Sequence, residues 1–329
     1  MAMDLHTATQ RWETPAASTH AIHFHGRGGS LFGIQIVNLF LSLITLGVYS
    51  FWGRVKVRKY MMSQTEFAGD RFAYHGIGRE LFIGWLKAMA LFGVPVFILG
   101  VLQIVVGMDS ALFNILQIVI YLLIGFFLPV AAVNARRYRL SRGSWRNIRF
   151  SFRGGVRDFI AIYIKGWLLT LVSLGLYYPY WQNRRQTFMI ANSYFGNQKF
   201  AFDGQGRDLF GAFVLHLLLT LPTLFLCWIW YGARLQRYYA EHTSFQAARF
   251  RSTVSGGGMF SLWLGNMVLF VVTLGLAWSW IAVRNARYYV DHLALVGALD
   301  VTGVMQEAQS ATATGEGLAA FLDLDFDLG

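Results

Sequence analysis

The chain has 329 residues, 55% of them hydrophobic and only 14% charged, whereas a soluble domain of this size carries about 25% charge. There is too little charge to solvate a surface around so much apolar sequence, and the apolar residues fall in long runs, which points to lipid. Lys and Arg number 28 against 17 Asp and Glu, a formal net charge of +11, and in so apolar a chain that excess favours an anionic lipid surface over nucleic acid.

Residues 1–21 read as a polar tail. It lacks the charged, apolar and small-residue regions of a cleavable signal, so the first apolar run is expected to insert and stay. From residue 22 a strand-like pattern recurs: Ile22-His-Phe-His-Gly-Arg-Gly, Phe72-Ala-Tyr-His-Gly-Ile-Gly, Phe150-Ser-Phe-Arg-Gly-Gly, Phe200-Ala-Phe-Asp-Gly-Gln-Gly and Phe250-Arg-Ser-Thr-Val-Ser-Gly. Asp300-Val-Thr-Gly reads as a truncated sixth copy. The starts are separated by 50, 78, 50, 50 and 50 residues, and Tyr60, Tyr138, Phe188, Tyr238 and Tyr288 each stand 12 residues before the next one. Two landmarks holding one spacing imply a tandem repeat of about 50 residues. The membrane domain, 22–300, then divides into units 22–71, 72–149, 150–199, 200–249 and 250–299. The 78-residue unit has room for one more helix.

Apolar segments follow each Gly-rich turn, near 31–52, 81–106, 112–133, 159–181, 209–231 and 259–281. Each is about 20 residues, the length that crosses a ~30 Å hydrocarbon core. Gly47, Gly175 and Gly275 sit late in three of them, where a kink is the alternative to an ordinary membrane glycine. Cys227, the only cysteine, lies in one such run, so no intramolecular disulfide forms. After the apolar run comes an aromatic and basic cluster: Trp52, Lys56, Lys59 and Tyr60; Tyr180, Arg184 and Phe188; Trp230, Arg234, Arg237 and Tyr238; Trp280, Arg284, Arg287 and Tyr288. In the long unit it survives as Asn134, Arg137 and Tyr138. Spacings of four and seven put ring and cations on one helical face, with the ring at headgroup level and the cations on lipid phosphates. Short hairpins such as 66–74 and 193–202 are expected to connect the helices. The expected fold is therefore mainly α, a multi-pass helical membrane protein in which each unit is a membrane helix with a short β-hairpin connector.

With Phe-x-Phe-x-Gly-x-Gly followed by Leu-Phe, then Thr-Leu-Gly-x-Tyr, then Trp-x3-Arg-x2-Arg-Tyr on the page, the chain resembles the YjgN-like family of bacterial inner-membrane proteins over about residues 22–300. The resemblance implies a bacterial cytoplasmic-membrane location. It implies no activity, cofactor or catalytic residue. The long second unit and the degraded cluster from Tyr180-Trp181 to Phe188 depart from the regular pattern.

His20, His23 and His25 are close enough in sequence to chelate a transition metal, but His25 shares its slot with His75, Arg153 and Asp203, and no further ligands complete a site. Gly-x-Gly at 26/28, 76/78 and 204/206 leads into membrane segments rather than a βαβ unit, so a close backbone approach explains it better than a phosphate loop. No catalytic motif is present, and the chain is read as a non-enzyme without metal or cofactor. Polar residues inside the apolar runs are more informative. Asn38, His216 and Asn266 share one slot, held elsewhere by Ala88 and Gly166, and Lys87 and Lys165 precede it. Either these five line a shared polar path, or the Asn and His bond neighbouring helices while the lysines snorkel to headgroups. The acidic tail, 301–329, either adds as a strand or docks on basic connectors, with disorder as the plainer alternative.

Positive-inside places the 53–80 and 134–158 connectors in the cytoplasm and the 107–111 link outside. The 182–208 and 232–258 connectors carry equal basic counts, although full crossings would put them on opposite sides. Six full spans are the first choice, against units that dip in and return at the Leu-Gly kink. Two functions follow: a transporter or channel-like protein for a small solute or ion, or a non-catalytic scaffold binding anionic membrane lipids through basic aromatic connectors. Homo-oligomerisation is left open.

Overall fold

The computed structural model describes residues 18–106, 111–300 and 303–304. Ten short strands form one closed antiparallel barrel. Four hairpins lie within the chain: β2 (Thr65–Phe67) with β3 (Asp70–Tyr74), β4 (Gly143–Trp145) with β5 (Ile148–Phe152), β6 (Ser193–Phe195) with β7 (Gln198–Phe202), and β8 (Thr243–Phe245) with β9 (Ala248–Ser252). Their turns hold residues with positive φ, among them Ala68 (48°), Gly69 (83°), Arg146 (48°) and Asn147 (62°), as tight two-residue hairpin loops require. The first strand, β1 (Thr19–Phe24), pairs with both β2 and the last strand, β10 (Leu293–Val296), so the two ends of the chain close the barrel.

Between strands the chain makes helical hairpins: α1 (Gly28–Ile44) and α2 (Ser50–Ser63), α6 (Val156–Val172) and α7 (Tyr178–Ala191), α8 (Gly206–Leu219) and α9 (Cys227–Glu241), α10 (Gly256–Val272) and α11 (Trp278–Asp291). In the remaining interval α3 (Gly78–Ala88) runs through a π-helical turn (Met89–Gly93) into α4 (Val94–Val106), and α5 (Ala111–Arg142) returns.

The expectation of a multi-pass helical protein with hairpins as mere connectors is overturned on two counts. The hairpins pair with one another into a closed barrel, which places all ten strands together. Moreover, the apolar runs do not cross and continue. Leu46 and Gly47 (φ 50° and 90°), Leu174 and Gly175 (51° and 92°), Leu224 and Phe225 (48° and 67°), and Leu274 and Gly275 (49° and 84°) reverse the chain. The amides of Gly47, Gly175, Phe225 and Gly275 donate to carbonyls five residues back at 2.7–2.8 Å, a left-handed helix stop. Among the described residues two helices are long and apolar enough to cross a membrane, Gly78–Val105 and Phe113–Arg142. Six full spans are thus corrected to two candidate spans and four returning hairpins. The 107–110 link and most of the acidic tail lie outside the described residues.

The barrel core is built from opposed pairs: Ile22 faces Phe67, Phe72 faces Trp145, Phe150 faces Phe195, Phe200 faces Phe245, and Phe250 faces Leu295. Side chains alternate along a strand, so the first aromatic of each Phe-x-Phe points to the axis. Ring centroids stand 5.0 Å apart for Phe150–Phe195 and 4.8 Å for Phe200–Phe245. Eight strands leave an interior that side chains just fill, and ten leave more. An axial cavity of about 130 Å³ remains, with no polar lining. At about 24 cal/mol per Å³, that unfilled space costs roughly 3 kcal/mol.

Candidate membrane-facing site

The second helix of each hairpin carries the aromatic and basic cluster. Lys56, Arg184, Arg234 and Arg284 are all exposed. On α2 the reason is helical phase: Phe51 and Val55 pack inward on Tyr74, Leu81 and Tyr138, while Lys56 lies round the helix from them. The aromatic one turn earlier does not simply float at the headgroups. Each ring sits over a glycine that opens the next helix. An added Cβ at Gly28 would stand 2.2 Å from Trp280, at Gly78 2.5 Å from Trp52, and at Gly256 2.2 Å from Trp230. At Gly206 it would meet the Tyr180 backbone at 2.7 Å. The second glycine of Gly-x-Gly is therefore a docking point between successive hairpins. The first takes a ring of its own strand, as Gly26 takes Phe24 and Gly76 takes Tyr74. Trp230 and Trp280 keep 44% and 40% of their surface exposed, so each ring bridges a protein seam and the outside.

The second cation of the cluster has a different role. Arg237 donates to the Val254 carbonyl at 2.6 Å, Arg287 to Gly26 at 2.8 Å and Arg137 to Gly154 at 2.8 Å. These carbonyls belong to the strand-to-helix turn of the following unit. Where Thr187 replaces the Arg, Asn183 one turn earlier donates to Gly204 at 2.9 Å instead. The tyrosine beside it clamps its own unit's turn: Tyr60 bonds the amide and carbonyl of Arg27, and Tyr238 bonds those of Gln205 and the Asp208 carboxylate. Sequence spacing placed both cations on lipid. The structure assigns the second to the protein backbone in three units, and Lys59 is exposed. The Thr187 and Asn183 exchange was the available signal.

The five residues of the polar slot are not brought together. Asn38 donates to the Gly53 carbonyl of its own hairpin at 3.3 Å, and Asn266 donates to Asn285 at 2.7 Å. The His216 ring nitrogen lies 2.6 Å from the Ala212 carbonyl, with the ring 5.5 Å from Tyr231. Lys87 and Lys165 are exposed. The slot lies against the other helix of its hairpin. A Cβ added at Gly53 would stand 3.1 Å from Asn38, Gly166 faces Trp181, and Ala88 packs with Ala131.

Depth along the helices follows from the rise of about 1.5 Å per residue. Lys56, Arg184 and Arg284 stand roughly 9 Å from the apolar start of their helices, and Arg234 roughly 10 Å. Beyond them, Leu46, Leu174, Leu224 and Leu274 are 80–95% exposed at the tips. Lys165 stands roughly 10 Å from the end of α6. From Lys87 to Val105 is roughly 27 Å, close to a hydrocarbon thickness. The cations thus form a collar beyond which four hairpins extend only a short apolar distance while two helices continue.

On the barrel side, His25 pairs with Glu66 at 2.9 Å. Among the described residues no group of three His, Cys, Asp or Glu side chains is placed to hold a metal. His75 lies 2.8 Å from the Ser144 hydroxyl. Burial first, then the charges of Arg149, Lys59 and Arg142, hold its pKa below the ordinary 6.5. The unfolded chain therefore takes up this proton more readily than the fold does. The contribution is complete above pH 6.5 and is lost as pH falls from there through the lowered folded value. Stability measured by denaturant titration should fall over that window, and His75→Gln should flatten the fall.

Comparison with known proteins finds a bacterial family of unknown function and relatives named as inner membrane proteins. A family described as "Bacterial protein of unknown function (DUF898)" matches residues 19–229 and 212–321. Inner membrane protein YjgN of Salmonella typhimurium is 28% identical over 169 residues, covering 48% of this chain and 40% of the relative. Inner membrane protein YjgN of Escherichia coli K12 is 28% identical over 158 residues, covering 48% of this chain and 37% of the relative. The matched region is thus about two fifths of the length of these relatives. No solved structure matches significantly.

Proposed function

The chain belongs to the DUF898 family of bacterial proteins of unknown function, and from that premise we propose that it is a non-catalytic inner-membrane scaffold that binds anionic phospholipid through its collar of cations. The observation that carries the reading is the exposure of Lys56, Arg184, Arg234 and Arg284 at one level, with apolar tips beyond them. Cations at that level meet headgroup phosphates, each contributing about 1 kcal/mol. Leucine tips reaching roughly 10 Å further would occupy the headgroup and upper acyl region of one leaflet. The names of the YjgN relatives support an inner-membrane location. The basic hairpins then face the cytoplasm, and only the two long helices cross. With every hairpin on one side, the equal basic counts of the 182–208 and 232–258 connectors cease to conflict.

The transporter reading has less support. Asn38, His216 and Asn266 bond within their own hairpins, and the barrel axis is lined by apolar side chains. Neither arrangement offers a solute a polar path.

The test is the selectivity of the nanodisc-embedded protein for spin-labelled phosphatidylglycerol over phosphatidylcholine. Arg234→Gln with Arg284→Gln should remove about 2 kcal/mol of selectivity, roughly thirtyfold in relative association. High salt should reduce the wild-type value toward that of the variant. Selectivity unchanged by the double substitution would overturn the proposal.

A further inference from the structure

The axial cavity of the barrel has features that the lipid-binding reading does not use. It is lined by apolar side chains alone, and its volume is about 130 Å³. Its wall carries one departure from the pattern of the inner ring. Four of the five axis-facing positions on the longer strands are phenylalanine: Phe72, Phe150, Phe200 and Phe250. The fifth is Ile22. On the shorter strands the positions are Phe67, Trp145, Phe195 and Phe245, with Leu295 as the fifth. Ile22 and Leu295 lie on β1 and β10, which are adjacent, so both aliphatic exceptions fall on one wall. All ten positions line the space, and its only aliphatic wall is the one where the chain closes on itself.

One mouth of this cavity is covered by the chain that follows β10. Leu299 lines the cavity, and Val304 is buried in the same apolar cluster. Between them Asp300 is held by Gln246 at the β8–β9 turn. The Gln246 amide nitrogen donates to the Asp300 carbonyl at 2.8 Å, and its oxygen accepts from the Asp300 amide at 3.2 Å. A dry apolar cavity of comparable size accepts benzene or xenon, because no polar group holds water there and dispersion contacts are left unmade.

We propose that the barrel lumen is a binding site for a small uncharged apolar molecule of about benzene size, seated against Ile22 and Leu295 and covered by Leu299. A charged or hydrogen-bonding ligand would lose its water without compensation and is excluded.

The experiment uses the full chain in nanodiscs, with benzene and xenon as probes. Wild-type protein should show a saturable rise of the unfolding midpoint with benzene and a distinct bound signal in xenon NMR. Ile22→Phe supplies the ring that the four other units carry and takes up part of the space, so benzene binding should weaken severalfold. A benzene response equal in wild type and Ile22→Phe would show partition into lipid only and overturn the proposal. As a second variant, Phe250→Ala enlarges the lumen and should admit indole, which the wild type rejects. Wild-type protein that binds neither probe would overturn the proposal whatever the variants do.

Discussion

Replacing Phe195 by alanine is expected to lower the free energy of unfolding by about 3–5 kcal/mol, the usual cost of emptying a buried Phe site. Phe195 is 3% exposed and faces Phe150 across the β5–β6 pair. Its ring lies 5.0 Å from Phe150, 5.7 Å from Trp145 and 6.1 Å from Phe245, so one side chain joins three hairpins. The new void would open onto an existing cavity, and strands three residues long have little freedom to close in on it. Equilibrium denaturation in nanodiscs measures the change. A loss under 1 kcal/mol would mean that the barrel is not the structural hub.

The second large effect is expected at Gly166→Val. A Cβ there would stand 1.9 Å from Trp181 Cδ1, closer than any real contact. Trp181 is only 8% exposed and is hemmed in by Tyr163 at 5.3 Å and Arg185 at 5.1 Å, so it cannot swing aside. Overpacking of this kind costs about 3 kcal/mol or more. The helical hairpin α6–α7 should open, and with it the contact that α7 makes to β7. A double-mutant cycle checks the cause. If the clash is with the indole, the Gly166→Val penalty should largely vanish in a Trp181→Leu background. An undiminished penalty there would place the strain elsewhere.

These positions mark what the sequence could disclose. Gly166 was visible as a member of a recurring slot, but its neighbours in that slot, Asn38, His216 and Asn266, drew attention to polarity. The slot is a steric feature. Its occupant matches the residue facing it in each hairpin: Gly166 leaves room for Trp181, and Asn38 reaches across to Gly53. The strands were legible from the alternation of Phe150 and Phe152 and from the Gly-rich turns. Their assembly was not, because β3 pairs with β4 and β1 with β10 across long stretches of chain, Phe72 with Trp145 at 73 residues and Ala21 with Ala294 at 273. No local periodicity encodes such register. The reversals were the harder loss. Thr-Leu-Gly reads equally as a kinked crossing or as a helix stop, and only the pair of left-handed residues, Leu46 with Gly47, decides for the stop. One reversal uses Leu224 and Phe225, with no glycine at all. The exposed cations of the collar were found by spacing, whereas the backbone partners of Arg237 and Arg287 lie in neighbouring units and left no mark in their own.

The claim on which the account rests most is that all the hairpin turns share one side of the membrane, with two crossings only. Single cysteines in a Cys227→Ser background read it directly. Serine retains a donor for the His216 carbonyl that the thiol reaches at 3.3 Å. Cysteines at Gly69, Asn147, Asn197 and Gln246 occupy the four turns within the chain. In intact cells an impermeant maleimide should label none of them, and in inverted membrane vesicles it should label all four. Labelling of Asn197 in intact cells, with Gly69 and Asn147 protected, would mean that α6 and α7 cross the membrane as one span, and would contradict the account.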